Sequence, residues 1–370
     1  MPQRKIPMLD LIRHFAPYWP MISSRIEAIF RRGQFILGKE VETFEESFAA
    51  YLGVPYALSC ASGTDALVLA LRALQIGQGD EVIVPDFTFA ATAEAVALVG
   101  ARPVFVDVDP VHALLDHMTL QKAYSERTKA IIPVHLYGQA ANLDAILTFA
   151  NDHRLYVIED SAQACGAQFS GQKVGTFGIF GCFSFYPSKN LGAAGDGGAI
   201  VTHDPALAER VKMLRNHGSK GNYAHEVIGF NSRLDEIQAA VLNVLLPHVD
   251  QFNQQRRAIA AQYTQKLAGL ACQPPFEATK NFHIYHQYTI QVMQRDSIRH
   301  CLSDDGVASM IYYPAPLSMQ KAFDKNNSLA KENPNAHALA ERVLSLPIFP
   351  EMQEEEVDYV VSVLAKALTR

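Results

Sequence analysis

Lys189 lies in the run Ser184-Phe185-Tyr186-Pro187-Ser188-Lys189-Asn190, just ahead of the glycine-rich Gly192-Ala193-Ala194-Gly195-Asp196-Gly197-Gly198. A lysine among aromatic and small residues is partly desolvated, which lowers its pKa and makes the amine a nucleophile. Glycines nearby allow close backbone approach to a bulky cofactor. Taken alone, a lysine in such a turn defaults to a solvated surface residue. Two further stretches change the weighting. Ser62-Gly63-Thr64-Asp65 precedes the helical run Ala66 to Leu71. Free backbone N–H groups and the helix dipole there make an anion site, although an ordinary N-cap reads the same way. Asp160 follows the apolar run Leu155 to Ile158, at the strand end where open α/β sheets bind ligands. A carboxylate there suits a cationic ring nitrogen, or else caps a helix begun just after it. An anion site, a carboxylate and an activated lysine together match the phosphate, ring nitrogen and aldehyde of pyridoxal phosphate.

These residues need a sheet to bring their loops to one edge. Short apolar runs recur at Glu81–Val84, Pro103–Asp107, Ala130–Val134, Leu155–Ile158, Cys182–Phe185 and Ala199–Thr202. Helical patterns separate several of them, such as Ala66–Leu74 and Asn142–Asn151. Strands buried on both faces look like this, so an open, mostly parallel α/β sheet flanked by helices is expected. The first forty residues read as an arm, with helices at Ile22–Phe30 and then Glu40–Tyr51, where Val41, Phe44 and Phe48 share a face. After Asp204-Pro205 the chain turns helical, with one long pattern over Leu234–Phe252 that ends or kinks near Pro247. We divide the chain into an arm with a large α/β domain, 1–250, and a smaller α+β domain, 251–370. The smaller one has a strand near His286–Val292, and Asp324–Asn335 reads as a polar surface loop.

The 370 residues suffice for two cores, and the net charge of −6 argues against a nucleic-acid or anionic-membrane surface. Cys60, Cys165, Cys182, Cys272 and Cys301 show no pairing or metal-ligand spacing and suit a reducing compartment as small hydrophobes. The basic opening Met1–Pro7 is not followed by an apolar stretch, and the run from Phe87 to Ala101 is broken by Glu94. Neither a signal peptide nor a membrane span is expected, and a cytoplasmic location is.

Over nearly its whole length the chain resembles the DegT/DnrJ/EryC1/StrS sugar aminotransferases, within fold-type I of the pyridoxal-phosphate enzymes. The likeness rests on Phe35-Ile36-Leu37-Gly38, Ser62 to Leu67, Val84 to Phe89, Pro133 to Gly138, Glu159 to Gln163, Ser184 to Gly192, Gly195 to Ala199, Asn231 to Glu236 and Leu344 to Pro347, in that order. The resemblance implies a role for each matching residue. Lys189 would form the Schiff base and shuttle protons, and Asp160 would keep the pyridine nitrogen protonated. Gln163 would contact the ring hydroxyl and Phe89 would stack on the ring. Gly63, Thr64 and Ser184 would bind the phosphate. Asn231 would reach the phosphate of the neighbouring subunit's cofactor, with Arg233 nearby, in a homodimer that shares its active sites. Arg233 and Tyr313 would contact substrate. The cofactor would alternate between its pyridoxal and pyridoxamine forms as glutamate gives the amino group and a nucleotide-linked keto sugar receives it.

Two positions depart from the pattern. Many members carry histidines where this chain has Tyr312 and Ser318, which leaves the sugar pocket open. Phe185-Tyr186-Pro187-Ser188-Lys189-Asn190-Leu191 resembles members acting on 3-keto sugars, and we expect that class over 4-keto sugars. A sugar dehydratase lacking the lysine and a catalytically silent, cofactor-binding regulator are the competing readings. The intact Lys189, Asp160 and Gln163 set speaks against both.

Overall fold

The computed structural model describes residues 5–221, 223–323 and 333–369. Its centre is a seven-stranded sheet. In chain order the strands are β1 (Tyr56–Cys60), β2 (Glu81–Pro85), β3 (Arg102–Val106), β4 (Thr128–Ile131), β5 (Tyr156–Asp160), β8 (Phe180–Ser184) and β9 (Gly198–Thr202). A short hairpin, β6 (Gln168–Phe169) and β7 (Gln172–Lys173), lies between β5 and β8 outside this sheet. Across the sheet the order is β1-β9-β8-β5-β4-β2-β3. β9 is antiparallel to both neighbours, and the run from β8 to β3 is parallel throughout. Residues of β2 and β9 are buried along their whole length, as strands covered on both faces must be.

Helices cover both faces. They begin with α1 (Leu11–Phe15), α2 (Trp19–Arg32), α3 (Lys39–Leu52), α4 (Gly63–Ala73), α5 (Ala91–Leu98), α6 (Leu120–Ala123), α7 (Leu143–His153) and α8 (Pro205–Leu214). One core joins α4, α5 and α8 to the sheet; another joins α2 and α3 to the opposite face with α9 (Glu236–Leu245). Several helix starts are written in the sequence. Ser62, Asn142, Asp204 and Asp235 each cap a helix through the side-chain oxygen. The start of α3 lacks such a residue. The buried Glu236 carboxylate accepts from the amides of Gly38, Glu40 and Val41 instead, so α9 caps α3.

The kink expected at Pro247 is present as a 3-10 turn over Leu246–His248. The helical pattern does not end at Phe252, however. It continues as α10 (Val249–Lys266), because Ile259, Ala260 and Tyr263 extend a narrow buried stripe between exposed polar residues. Beyond it lie β10 (Cys272–Gln273), β11 (Asn281–Phe282), β12 (Tyr288–Val292), α11 (Arg295–Asp304), α12 (Pro334–Arg342), β13 (Val343–Leu346) and α13 (Glu354–Leu368). A second sheet, β10-β12-β13, shares a core with α10, α11 and α13. Ile6 joins that core too, bridging to Val307.

The expected loop over Asp324–Asn335 needs correction at its end, residues 324–332 lying outside the described set. Asn333 is buried and Pro334 opens α12, because Asn333 and Asn335 bond to Asp86, Asp107 and the Val108 carbonyl. No helix among the described residues is long and apolar enough to cross a membrane.

Candidate active site

The residues singled out for chemistry gather at one edge of the large sheet. Gly198 on β9 pairs with Cys60 on one side and Ser184 on the other. That register sets the start of α4 beside the end of β8. The approach is close: a β-carbon added to Gly63 would stand 2.7 Å from Ser184 Cβ and 3.2 Å from Ser184 Oγ. Ser62 Oγ accepts from the Asp65 amide at 3.1 Å, whereas neither the Gly63 nor the Thr64 amide has a hydrogen-bond partner among the described residues. The cap reading of this stretch holds, and the two unpaired amides leave room for the anion-site reading beside it. Two free amides at a helix N-terminus and an adjacent hydroxyl form a donor set suited to a phosphate.

Asp160 ends β5. Its carboxylate is buried, accepting from Thr92 Oγ1 at 2.8 Å and from the Ala162 amide at 3.2 Å. Burial holds its pKa above the ordinary carboxylate value, against those hydrogen bonds and the Lys189 charge. Lys189 follows β8 and is partly buried. Desolvation pushes its pKa down to about 8, with Asp160 pulling the other way. The two therefore act on each other electrostatically.

Gln163, one short turn beyond Asp160, is fixed at both ends. Its Oε1 accepts from the Tyr137 amide at 2.7 Å and its Nε2 donates to Tyr313 Oη at 3.1 Å. Phe89 is 57% exposed, with its ring centroid 6.0 Å from that of Tyr313. A large aromatic left open beside buried polar groups has a face free for a flat ligand. Phe89 and Tyr313 also line a cleft of about 490 Å³ with Thr88, Pro314 and Leu317.

Asn231 and Arg233 are placed differently. Ser232 between them donates to Asp65 at 2.6 Å and so docks this segment on the start of α4. Asn231 itself is exposed, and Arg233 donates to Asn216 Oδ1 at 2.8 Å rather than to any other residue of the site.

The sequence assigns no role to some of the supporting residues. Thr92 holds Asp160 from α5. Glu159, adjacent to Asp160, is buried against His135 Nε2 at 3.0 Å and accepts from the amides of Gly175, Phe177 and Gly178. Asp86, just past the end of β2, accepts from the Ser318 amide and hydroxyl, both at 2.7 Å, and from Asn333 Nδ2 at 2.8 Å. Ser318 therefore serves as a tether here. Tyr312 is likewise engaged through its carbonyl, which accepts from Tyr137 Oη.

A mostly parallel sheet flanked by helices, with free helix N-terminal amides, a buried carboxylate and a partly buried lysine at one edge, is the arrangement of a fold-type I aminotransferase. The comparisons agree, and the chain belongs to the DegT/DnrJ/EryC1/StrS aminotransferase family, which it matches over residues 20–365. It is 51% identical, over 98% of both chains, to the UDP-N-acetyl-3-dehydro-alpha-D-glucosamine 3-aminotransferase of Acidithiobacillus ferrooxidans. It is 41% identical to the UDP-2-acetamido-2-deoxy-3-oxo-D-glucuronate aminotransferase of Pseudomonas aeruginosa, over 97% of this chain and 99% of that one. Among solved structures, Streptomyces venezuelae DesV in complex with a ketimine intermediate superposes with a TM-score of 0.96 at 42% identity, covering 99% of each chain. The protein is a sugar aminotransferase.

Proposed function

We propose that this enzyme moves an amino group from glutamate to C-3 of a UDP-linked 3-keto sugar, in two half-reactions at one site. The observation that carries the sugar is the 51% identity to a UDP-linked 3-dehydro sugar aminotransferase, and Tyr186 and Asn190 beside Lys189 suit the same class.

The donor set described above fits pyridoxal phosphate. When bound, that group supplies the carbonyl that carries nitrogen and a ring that takes up electrons. The chain supplies everything else. Gly63 and Thr64 amides and the Ser184 hydroxyl would hold the phosphate. Asp160 would keep a proton on the pyridine nitrogen, a task for which a buried carboxylate braced by Thr92 is suited. Gln163 would meet the ring hydroxyl, and Phe89 would cover the ring face. Lys189 would hold the cofactor and then move protons, its pKa near the working pH. Tyr313, fixed by Gln163, would face the sugar across the cleft. Asn231, exposed at the surface, would reach the phosphate in the partner subunit of a homodimer, with Arg233 beside it toward substrate.

The test is a panel of nucleotide-linked 3-keto and 4-keto sugars offered with ¹⁵N-glutamate. Label should appear in the UDP-linked 3-amino sugar, with 2-oxoglutarate released in equal amount. Label only in a 4-amino sugar, or in none, would overturn the assignment.

A further inference from the structure

Asn190, next to Lys189, is buried, and both ends of its carboxamide are bonded. Nδ2 donates to Asn253 Oδ1 at 2.7 Å and to the Ile284 carbonyl at 3.3 Å, and Oδ1 faces His286 Nδ1 at 3.0 Å. Asn253 Nδ2 in turn donates to the Cys165 carbonyl at 3.0 Å. A backbone carbonyl only accepts. The Cys165 carbonyl therefore fixes which end of the Asn253 amide is nitrogen and leaves the oxygen toward Asn190. The Ile284 carbonyl orients Asn190 the same way, independently. With Asn190 Oδ1 left to accept, the proton of His286 must sit on Nδ1. Burial, and then the charges of Lys189 and Arg256, hold the ring's pKa well below the ordinary histidine value. Arg256 also clamps the backbone here, its Nη1 reaching the carbonyls of Tyr285, His286 and Ile348.

We propose that Asn190 is a positioning residue for the reaction at Lys189: it ties the lysine's loop to α10 and to the segment between β11 and β12, and it sets the tautomer of His286, with a proton on Nδ1. The benefit is electrostatic. A protonated His286 would set another cation against Lys189 and weaken its grip on a proton; a neutral ring leaves Asp160 as the group that balances it. This rests on the reading of Lys189 as the cofactor lysine, and not on the identity of the sugar.

The decisive measurement is the nitrogen NMR spectrum of the cofactor-loaded protein labelled with ¹⁵N-histidine, with His286 identified by the signals lost in His286→Gln. Nδ1 should be protonated and Nε2 bare, without titrating from about pH 6 to 9. Asn190→Asp turns an oxygen toward Asn253 Oδ1 and the Ile284 carbonyl and brings a carboxylate to the ring. His286 should then be doubly protonated at neutral pH, with kcat down about 100-fold and sugar KM within about threefold. A wild-type ring protonated on Nε2, or charged at neutral pH, overturns the proposal without any variant. So does an Asn190→Asp enzyme whose kcat stays within about twofold of wild type. An enzyme that aminates no UDP-linked 3-keto sugar sinks the substrate reading and leaves the histidine spectrum to be judged by itself.

Discussion

Replacing Gly63 by alanine should damage cofactor binding more than folding. The new β-carbon would lie 2.7 Å from Ser184 Cβ, where ordinary contact begins near 3.4 Å. Ser184 cannot retreat freely, because it is paired with Gly198 in the sheet. The start of α4 cannot shift past β9 either, since the Ser62 carbonyl already crowds the place a β-carbon on Gly198 would take. Overpacking of this kind costs about 1–3 kcal/mol. Alanine's better helix propensity offsets up to about 1 kcal/mol of that. The apoprotein should therefore lose only a few degrees in Tm. The phosphate donors fare worse, because the Gly63 and Thr64 amides no longer converge with the Ser184 hydroxyl. A hydrogen bond to a charged group contributes about 1.5–3 kcal/mol, so pyridoxal phosphate should bind roughly 10- to 100-fold more weakly. Titration of the apoprotein with cofactor, followed by absorbance, and melting curves of the same samples measure both quantities. A lowered apo Tm with cofactor affinity within about twofold of wild type would refute the reasoning, making the Gly63–Ser184 contact packing alone.

Asp160→Asn keeps the shape and removes the charge, so kcat should fall at least about 100-fold while the apo Tm moves by no more than about 4 °C. Because the carboxylate raises the Lys189 pKa, the same variant should shift the lysine limb of the pH–rate profile downward relative to wild type. Asp86→Ala strands the Ser318 amide and Asn333 Nδ2 without their acceptor and should cost about 2–4 kcal/mol in chemical denaturation; a loss under about 0.5 kcal/mol would show the tether to be slack. The proposal that Asn231 serves the partner's site predicts that Lys189→Ala and Asn231→Asp are each crippled as homodimers, yet that refolding the two together restores up to about a quarter of wild-type activity. Mixtures as inactive as their parents, despite confirmed subunit exchange, would place Asn231 within its own subunit.

The sheet and the three chemical stretches are legible because each rests on a local pattern. Continuous apolar runs mark strands buried on both faces, and Ser62, Asp204 and Asp235 announce their own helices. What escapes depends on contacts distant in sequence. β1 is hidden because Tyr56-Ala57-Leu58-Ser59-Cys60 has neither alternation nor a β-branched residue; its place comes from pairing with β9. Asn333 looks like loop because nothing local shows that Asp86, far upstream, needs a donor. The same holds for Thr92 behind Asp160 and for the Asn190–Asn253–His286 chain. There the sequence shows an asparagine after the lysine, and only the fold supplies the carbonyls that orient it.

The central claim, that Lys189 holds the cofactor in the cradle of Gly63, Thr64, Ser184 and Asp160, is tested most directly by borohydride reduction of the pyridoxal-phosphate-loaded protein followed by peptide mass mapping. The phosphopyridoxyl mass should fall on the peptide containing Lys189, and Lys189→Ala should carry none. The label on any other lysine, with Lys189 unmodified, would contradict the account.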